Sequence, residues 1–204
     1  MPSRDGETDT YIEKSRFICH VFRVFTVEEA QAHIQRIKKL HSKANHNCVA
    51  YQIGNENEIQ RAFDDGEPTG TAGIPMLDVL KRRDVRNCLL IITRYFGGVK
   101  LGAGGLIRAY GSCASNGLET VGLTKRVKLQ SVWLICDYDM YDLIISKIKQ
   151  QNKITGSVTY GAAIEVEVLV ESLDVESFVA YIKETTHERI QPVVGEFSFK
   201  EIPV

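Results

Sequence analysis

At 204 residues, 44% hydrophobic and 25% charged, the chain has the composition of an ordinary globular protein with room for one large or two small domains. Apolar runs such as 88–92 fall far short of the roughly 20 residues of a membrane span, and five cysteines never in C-x-x-C spacing exclude a disulfide framework and a cysteine-based zinc site. The net charge of −1 hides a segregation: residues 81–128 carry 10 basic and two acidic side chains, whereas 129–204 carry six and 12.

In chain order, the polar start 1–9 lacks the apolar core of a signal peptide, so a cytoplasmic protein without membrane association is expected. Residues 15–25 have the β-branched and aromatic content of a strand. Thr26 and Glu29 then form a capping box, and Val27, Ala30, Ile34, Ile37 and Leu40 follow at helical spacing. A strand is predicted at 46–53, with 59–63 as its hairpin partner. The segment 73–81 starts a helix with Pro75 in its first turn, and 87–93 reads as a buried strand. From Gly105, the residues Leu106, Ala109, Tyr110, Cys113 and Leu118 make another helical stripe.

A boundary is expected near 124–128, giving domains at 1–127 and 128–204. The second begins with a strand at 128–136 and a helix at 140–151 capped by Asp139. Strands at 154–160 and 162–170 form a hairpin about Gly161. Asp174 caps a second helix, with Leu173 stapled against Phe178, and a last strand covers 190–201. The order βαββαβ is the ferredoxin-like arrangement, and the fold class is therefore α+β.

The segment 64–111 carries the densest functional signal. Glycine costs about 0.5–1 kcal/mol inside helix or strand, so Gly66, Gly70, Gly73, Gly97, Gly98, Gly102, Gly104 and Gly105 point to loops with positive φ or close backbone approach. The spacing does not make a nucleotide loop. After Gly97 and Gly102 the chain continues Ala-Gly-Gly rather than Lys-Ser or Lys-Thr, and Gly102 and Gly104 are followed three residues later by Ile107. What survives is anion binding by exposed amides at a helix N-terminus, with Arg94, Lys100 and Arg108 nearby, or glycines that serve only close packing. Asp64, Asp65 and Glu67 surround Gly66 without calcium-loop spacing. Two roles fit them: a turn bonding local amides, with Thr69 or Thr71 capping the next helix, or ion pairs to Arg94 or Arg108. The candidate binding surface comprises Asp64 to Glu67, Thr69, Gly70, Thr71 and Gly73, together with Arg94, Tyr95, Gly97, Gly98, Lys100, Gly102, Gly104, Gly105 and Arg108. His46 and Cys48 share one face of their strand, but nothing completes a catalytic or metal site, so no catalytic residue, metal or cofactor is assigned.

Three blocks, HNCVAYQIG at 46–54, DDGEPTGTAGIPML at 64–77 and ITRYFGGVKLGAGGLIRAYG at 92–111, closely resemble the signatures of the IMPACT family, in its bacterial YigZ-like branch. Asn45 stands where many members have threonine, and Thr69 replaces a common serine. The resemblance implies an N-terminal domain similar to a ribosomal-protein fold and to domain IV of elongation factor G, followed by a ferredoxin-like domain similar to its domain V. Eukaryotic members regulate translation under amino-acid stress by binding the large activator of an initiation-factor kinase. Their extra N-terminal interaction domain is expected to be missing, because the family block begins almost at once. The resemblance implies a non-catalytic regulator of translation, with ribosome, RNA or a translation-associated protein as partner. The alternative is a small-molecule or phosphate-ligand enzyme using a cleft between 64–73 and 94–108.

Overall fold

The computed structural model describes residues 1–204, in an α+β arrangement of two compact units. One comprises Met1–Lys125 with Pro203–Val204, the other Arg126–Ile202.

The first unit is built on a five-stranded antiparallel sheet of β1 (Gly6–Ile12), β2 (Ser15–Arg23), β3 (His46–Ile53), β4 (Ile59–Phe63) and β5 (Cys88–Tyr95), ordered β1-β2-β5-β3-β4. Apolar residues occupy both faces of the three inner strands, because helices cover both. On one face, α1 (Val27–Leu40) packs Ala30 and Ile37 over Phe22, Val49, Tyr51, Leu89 and Ile91. On the other, α2 (Gly73–Arg82) and α3 (Gly102–Val121) cover Phe17, Cys19, Cys48, Leu90 and Ile92 with Met76, Leu80, Leu106, Tyr110 and Leu118. The five free cysteines are all buried.

Strand β1 has no sequence signal: half-buried and exposed residues alternate along Gly6–Ile12 without an apolar face, and antiparallel pairing with β2 alone makes it a strand. The α1 cap forms from Thr26 Oγ1, which accepts from the Glu29 amide at 3.2 Å. Glu29 Oε2 reaches back to the Phe25 amide at 2.7 Å, one residue earlier than the capping-box pattern requires.

In the second unit, β6 (Thr124–Cys136), β7 (Ile154–Tyr160), β8 (Ile164–Glu171) and β9 (Val193–Pro203) are ordered β7-β8-β6-β9. With α4 (Tyr141–Gln150) and α5 (Val175–Thr185) this is the ferredoxin-like topology. Ile144, Ile148, Phe178 and Ile182 of the helices bury Val132, Leu134, Val166 and Val168 on one face. Two expected caps fail here. A 3-10 turn, Tyr138–Met140, precedes α4, so Met140 takes the cap position and Asp139 faces Arg189 instead. Asp174 sits at the start of α5, but its carboxylate accepts from Lys153 Nζ at 2.5 Å rather than from a helix amide. Leu173 is 97% exposed, so no staple forms on Phe178.

Candidate functional site

The loop 64–72 is organised by its first residue. Asp64 Oδ2 accepts from the Gly70 amide at 2.8 Å, while Oδ1 accepts from Ala72 at 3.1 Å and Gly73 at 2.8 Å. One carboxylate thus closes the loop and satisfies the first amides of α2, where negative charge also suits the helix dipole. Neither expected threonine caps that helix. Thr71 donates to the Pro68 carbonyl at 2.7 Å, and Thr69 is exposed. Asp65, with φ at +45°, turns the other way: its carboxylate accepts from the Asn47 amide at 2.7 Å and Lys38 Nζ at 2.6 Å. Burial pushes its carboxyl up, but Lys38 and the Asn47 amide outweigh that and hold it below its ordinary value. Gly66 follows at φ +88°, a conformation that glycine adopts without strain, beside the His46 ring.

This loop is fastened to the second glycine-rich segment by an ion pair. The Glu67 and Arg94 side chains are 3% and 6% exposed, with Oε1 2.8 Å from the guanidinium. The same oxygen accepts from the Tyr110 hydroxyl of α3 at 2.8 Å. Arg94 also donates to Ser15 Oγ at 3.2 Å, and its guanidinium lies over the Phe17 and Phe96 rings at 5.3 and 5.5 Å. Its Nε has no hydrogen-bond partner in the protein. Ser15 Oγ in turn accepts from the Gly97 amide at 3.3 Å, and a Cβ at Gly97 would collide with the Lys14 carbonyl. The network therefore joins the starts of β2 and β3, the end of β5, the 64–72 loop and α3. Ser15, Phe17 and Tyr110 were not legible as members, since each reads locally as strand or core.

The His46 and Cys48 side chains do point the same way, toward the 64–65 backbone. His46 Nδ1 is 3.0 Å from the Asp65 carbonyl, and Cys48 Sγ donates to the Asp64 carbonyl at 2.9 Å. Burial pushes the Cys48 thiol up to about 12 and the Tyr110 phenol further above its ordinary value. Both groups are held protonated, as hydrogen-bond donors within a clasp rather than as activated nucleophiles.

Several members of the predicted surface are not on it: Glu67, Thr71 and Gly73 are buried. Arg94 is buried, so it does not contribute to an exposed basic face. Tyr95 follows it on β5 and points to the opposite side of the sheet, where its hydroxyl is 2.9 Å from His41 Nδ1. Of the remaining cations, Arg83 pairs with Glu119 and Arg86 with Asp84. Lys100 and Arg108 are exposed and form no ion pair, and Arg108 lies along the first turn of α3, over Gly104. That helix begins without a side-chain cap or an acidic residue in its first turn, and neither Gly98 nor Gly102 has a neighbour within 4 Å of where a Cβ would stand. No group of three or more ligating side chains is assembled for a metal, and no helix is long and apolar enough to cross a membrane.

Residues 13–118, which contain the whole clasp, match the family model described as the Impact N-terminal domain. The IMPACT family member YvyE of Bacillus subtilis (strain 168) is 44% identical over 96% of this chain and 90% of its own length. YigZ of Escherichia coli (strain K12) is 33% identical over 88% of this chain and 89% of its own. A crystal structure described as that of a hypothetical protein superposes with a TM-score of 0.59 at 30% identity, over 96% of each chain. The match to the domain model and to relatives along nearly their full length places the chain in the IMPACT family.

Proposed function

We propose that the protein is a non-catalytic, cytoplasmic regulator of translation that contacts the ribosome, RNA or a translation-associated protein through the rim of the clasp. The observation that carries this reading is the division of labour among charges. Glu67 and Arg94 neutralise each other in the interior, whereas Lys100 and Arg108 stand unpaired beside the uncapped start of α3. A rigid base with free cations and open backbone above it suits an anionic partner surface, with the cations fixing position more than sequence. Membership of the IMPACT family, with the translational role that the resemblance implies, supports the same direction.

The enzyme reading needs carboxylates free to act on a ligand. Asp64, Asp65 and Glu67 are each engaged by protein donors, so less supports it.

Co-sedimentation with ribosomes across a salt series tests the proposal. Binding should weaken steeply as salt rises, and the double variant Lys100→Glu, Arg108→Glu should lose most of it at low salt. Absence of co-sedimentation at low salt, or binding indifferent to both salt and the double variant, would overturn the ribosome and RNA form of the proposal. Crosslinking in cell extract then tests the protein-partner form, which fails if no specific partner is recovered.

A further inference from the structure

The sheet of the second unit has an open edge. β9 is the last strand in the order β7-β8-β6-β9, so only β6 pairs with it and its outward backbone N–H and C=O groups have no strand partner. Proteins usually blunt such edges by shortness, bulges or proline. The other edge follows that rule, since β7 has seven residues and a register shift between Thr155 and Val158. β9 does not: it runs 11 residues, Val193–Pro203, with proline only at its last position. Its Phe197 and Phe199 are 52% and 58% exposed, although Lys128 Nζ lies 3.9 Å from the Phe197 ring centroid and the Arg126 guanidinium 4.5 Å from that of Phe199. Val193 and Val194 are exposed as well.

This strand is complementary to itself. When two copies of one strand pair antiparallel about a two-fold axis, some residue lies opposite its own copy, so each allowed register is centred on a residue. Centring on Ser198 uses the whole strand, with Val193 opposite Pro203 of the second copy. It also sets Glu196 opposite Lys200, Phe197 opposite Phe199 and Val194 opposite Ile202, each pair formed twice. Neighbouring registers lose this match: centring on Phe197 sets Lys200 against Val194, centring on Phe199 sets Glu201 against Phe197, and centring on Glu196 or Lys200 opposes like charges. We propose that two copies of this chain pair antiparallel through β9, centred on Ser198, and so join two four-stranded sheets into one.

Residues alternate between the two faces of a strand, so the Glu196–Lys200 pairs line one face of the junction and the Phe197–Phe199 pairs the other. Aromatic pairs and opposite charges directly across a strand pair favour association, and like charges there oppose it. Glu196 and Lys200 are exposed and form no salt bridge within their own chain. Association closes at two copies, because this unit offers one such edge and its β7 edge is irregular. A single strand pair is a small interface, so the dimer is reversible and forms as concentration rises. The sequence marks a strand at 190–201 without showing that it lies at an edge, which the sheet order decides.

Sedimentation equilibrium of the full chain over a concentration series tests the pairing and should show a reversible monomer–dimer equilibrium. Glu196→Lys or Lys200→Glu alone sets like charges opposite each other at two places and should weaken the dimer by at least about 10-fold. The two variants mixed should pair with one another, since the lysines of one then face the glutamates of the other. The doubly exchanged chain Glu196→Lys, Lys200→Glu should dimerise as the unaltered protein does. Ser198→Cys reads the register directly: residues opposite each other in an antiparallel pair have Cα separations that a disulfide spans, so mild oxidation should link the two copies. The five native cysteines are buried, and Ser177→Cys, exposed on α5, should stay unlinked. A chain that is monomeric throughout, a dimer that neither reversal weakens, reversals that mixing does not restore, or Ser198→Cys linked no better than Ser177→Cys would each overturn the proposal.

Discussion

Arg94 illustrates how a single residue changes meaning between sequence and structure. In the sequence it is one of 10 cations in a basic block, and it reads as surface. In the fold it is buried, held by Glu67 and Ser15 and lying over two aromatic rings. Removing one partner of a buried pair leaves the other charge uncompensated, so Arg94→Ala should lower unfolding stability by about 3–5 kcal/mol in urea titration. Arg94→Lys should recover little of it, because an ammonium cannot serve Glu67 and Ser15 from one planar fork. Asp65 gives a pH-dependent counterpart. Its folded pKa lies below the unfolded value of about 3.9, so its stabilisation is complete above that value and is lost as pH falls through the lower folded one. Asp65→Asn should therefore flatten the acid limb of a stability–pH curve without adding slope near neutrality. The acids at 64, 65 and 67 were visible as a cluster from local spacing, and pairing across the fold was one of two roles they admitted. That Arg94 rather than Arg108 is the partner depends on which cation the sheet turns inward.

At the scale of elements, periodicity located helices and strands well, while caps proved less legible. The strands β3, β4 and β7 occupy the predicted spans, and the stripe from Leu106 to Leu118 is the buried face of α3. The caps at Asp139 and Asp174 fail because each helix is entered through a 3-10 turn, which displaces the carboxylate from the first amides. The α2 cap comes from Asp64, eight and nine residues before the amides it accepts from, and no local pattern encodes such a reach. Asp64→Ala should cost roughly 2 kcal/mol, at the upper end for a lost cap because the Gly70 bond goes with it. Thr71→Ala should cost about 1 kcal/mol or less, since it removes one loop bond. Equal losses for the two variants in parallel denaturant titrations would contradict this assignment of the cap. Strand β1 was missed for a related reason: with no apolar face it takes its conformation from β2, not from its own residues.

Over the whole molecule, the proposed surface and the stabilising clasp should separate experimentally. Lys100 and Arg108 are exposed and form no ion pair, so the double charge reversal proposed to abolish ribosome binding should move stability by no more than about 0.5 kcal/mol. A large loss of stability would mean that the surface and the clasp are one structure and that any binding defect is indirect. The sequence by itself determined the α+β class, the helical stripes apart from Leu40, which is 69% exposed at the end of α1, the ferredoxin-like order and the IMPACT signature blocks, because these follow from periodicity and from contiguous motifs. Only the tertiary structure decided that Glu67 and Arg94 cancel in the interior, that Tyr95 faces away from them, and that β9 lies at an open edge of its sheet. Those outcomes depend on which strands pair and which face each residue takes, and β5, lying between β2 and β3, sends Arg94 to one face and Tyr95 to the other.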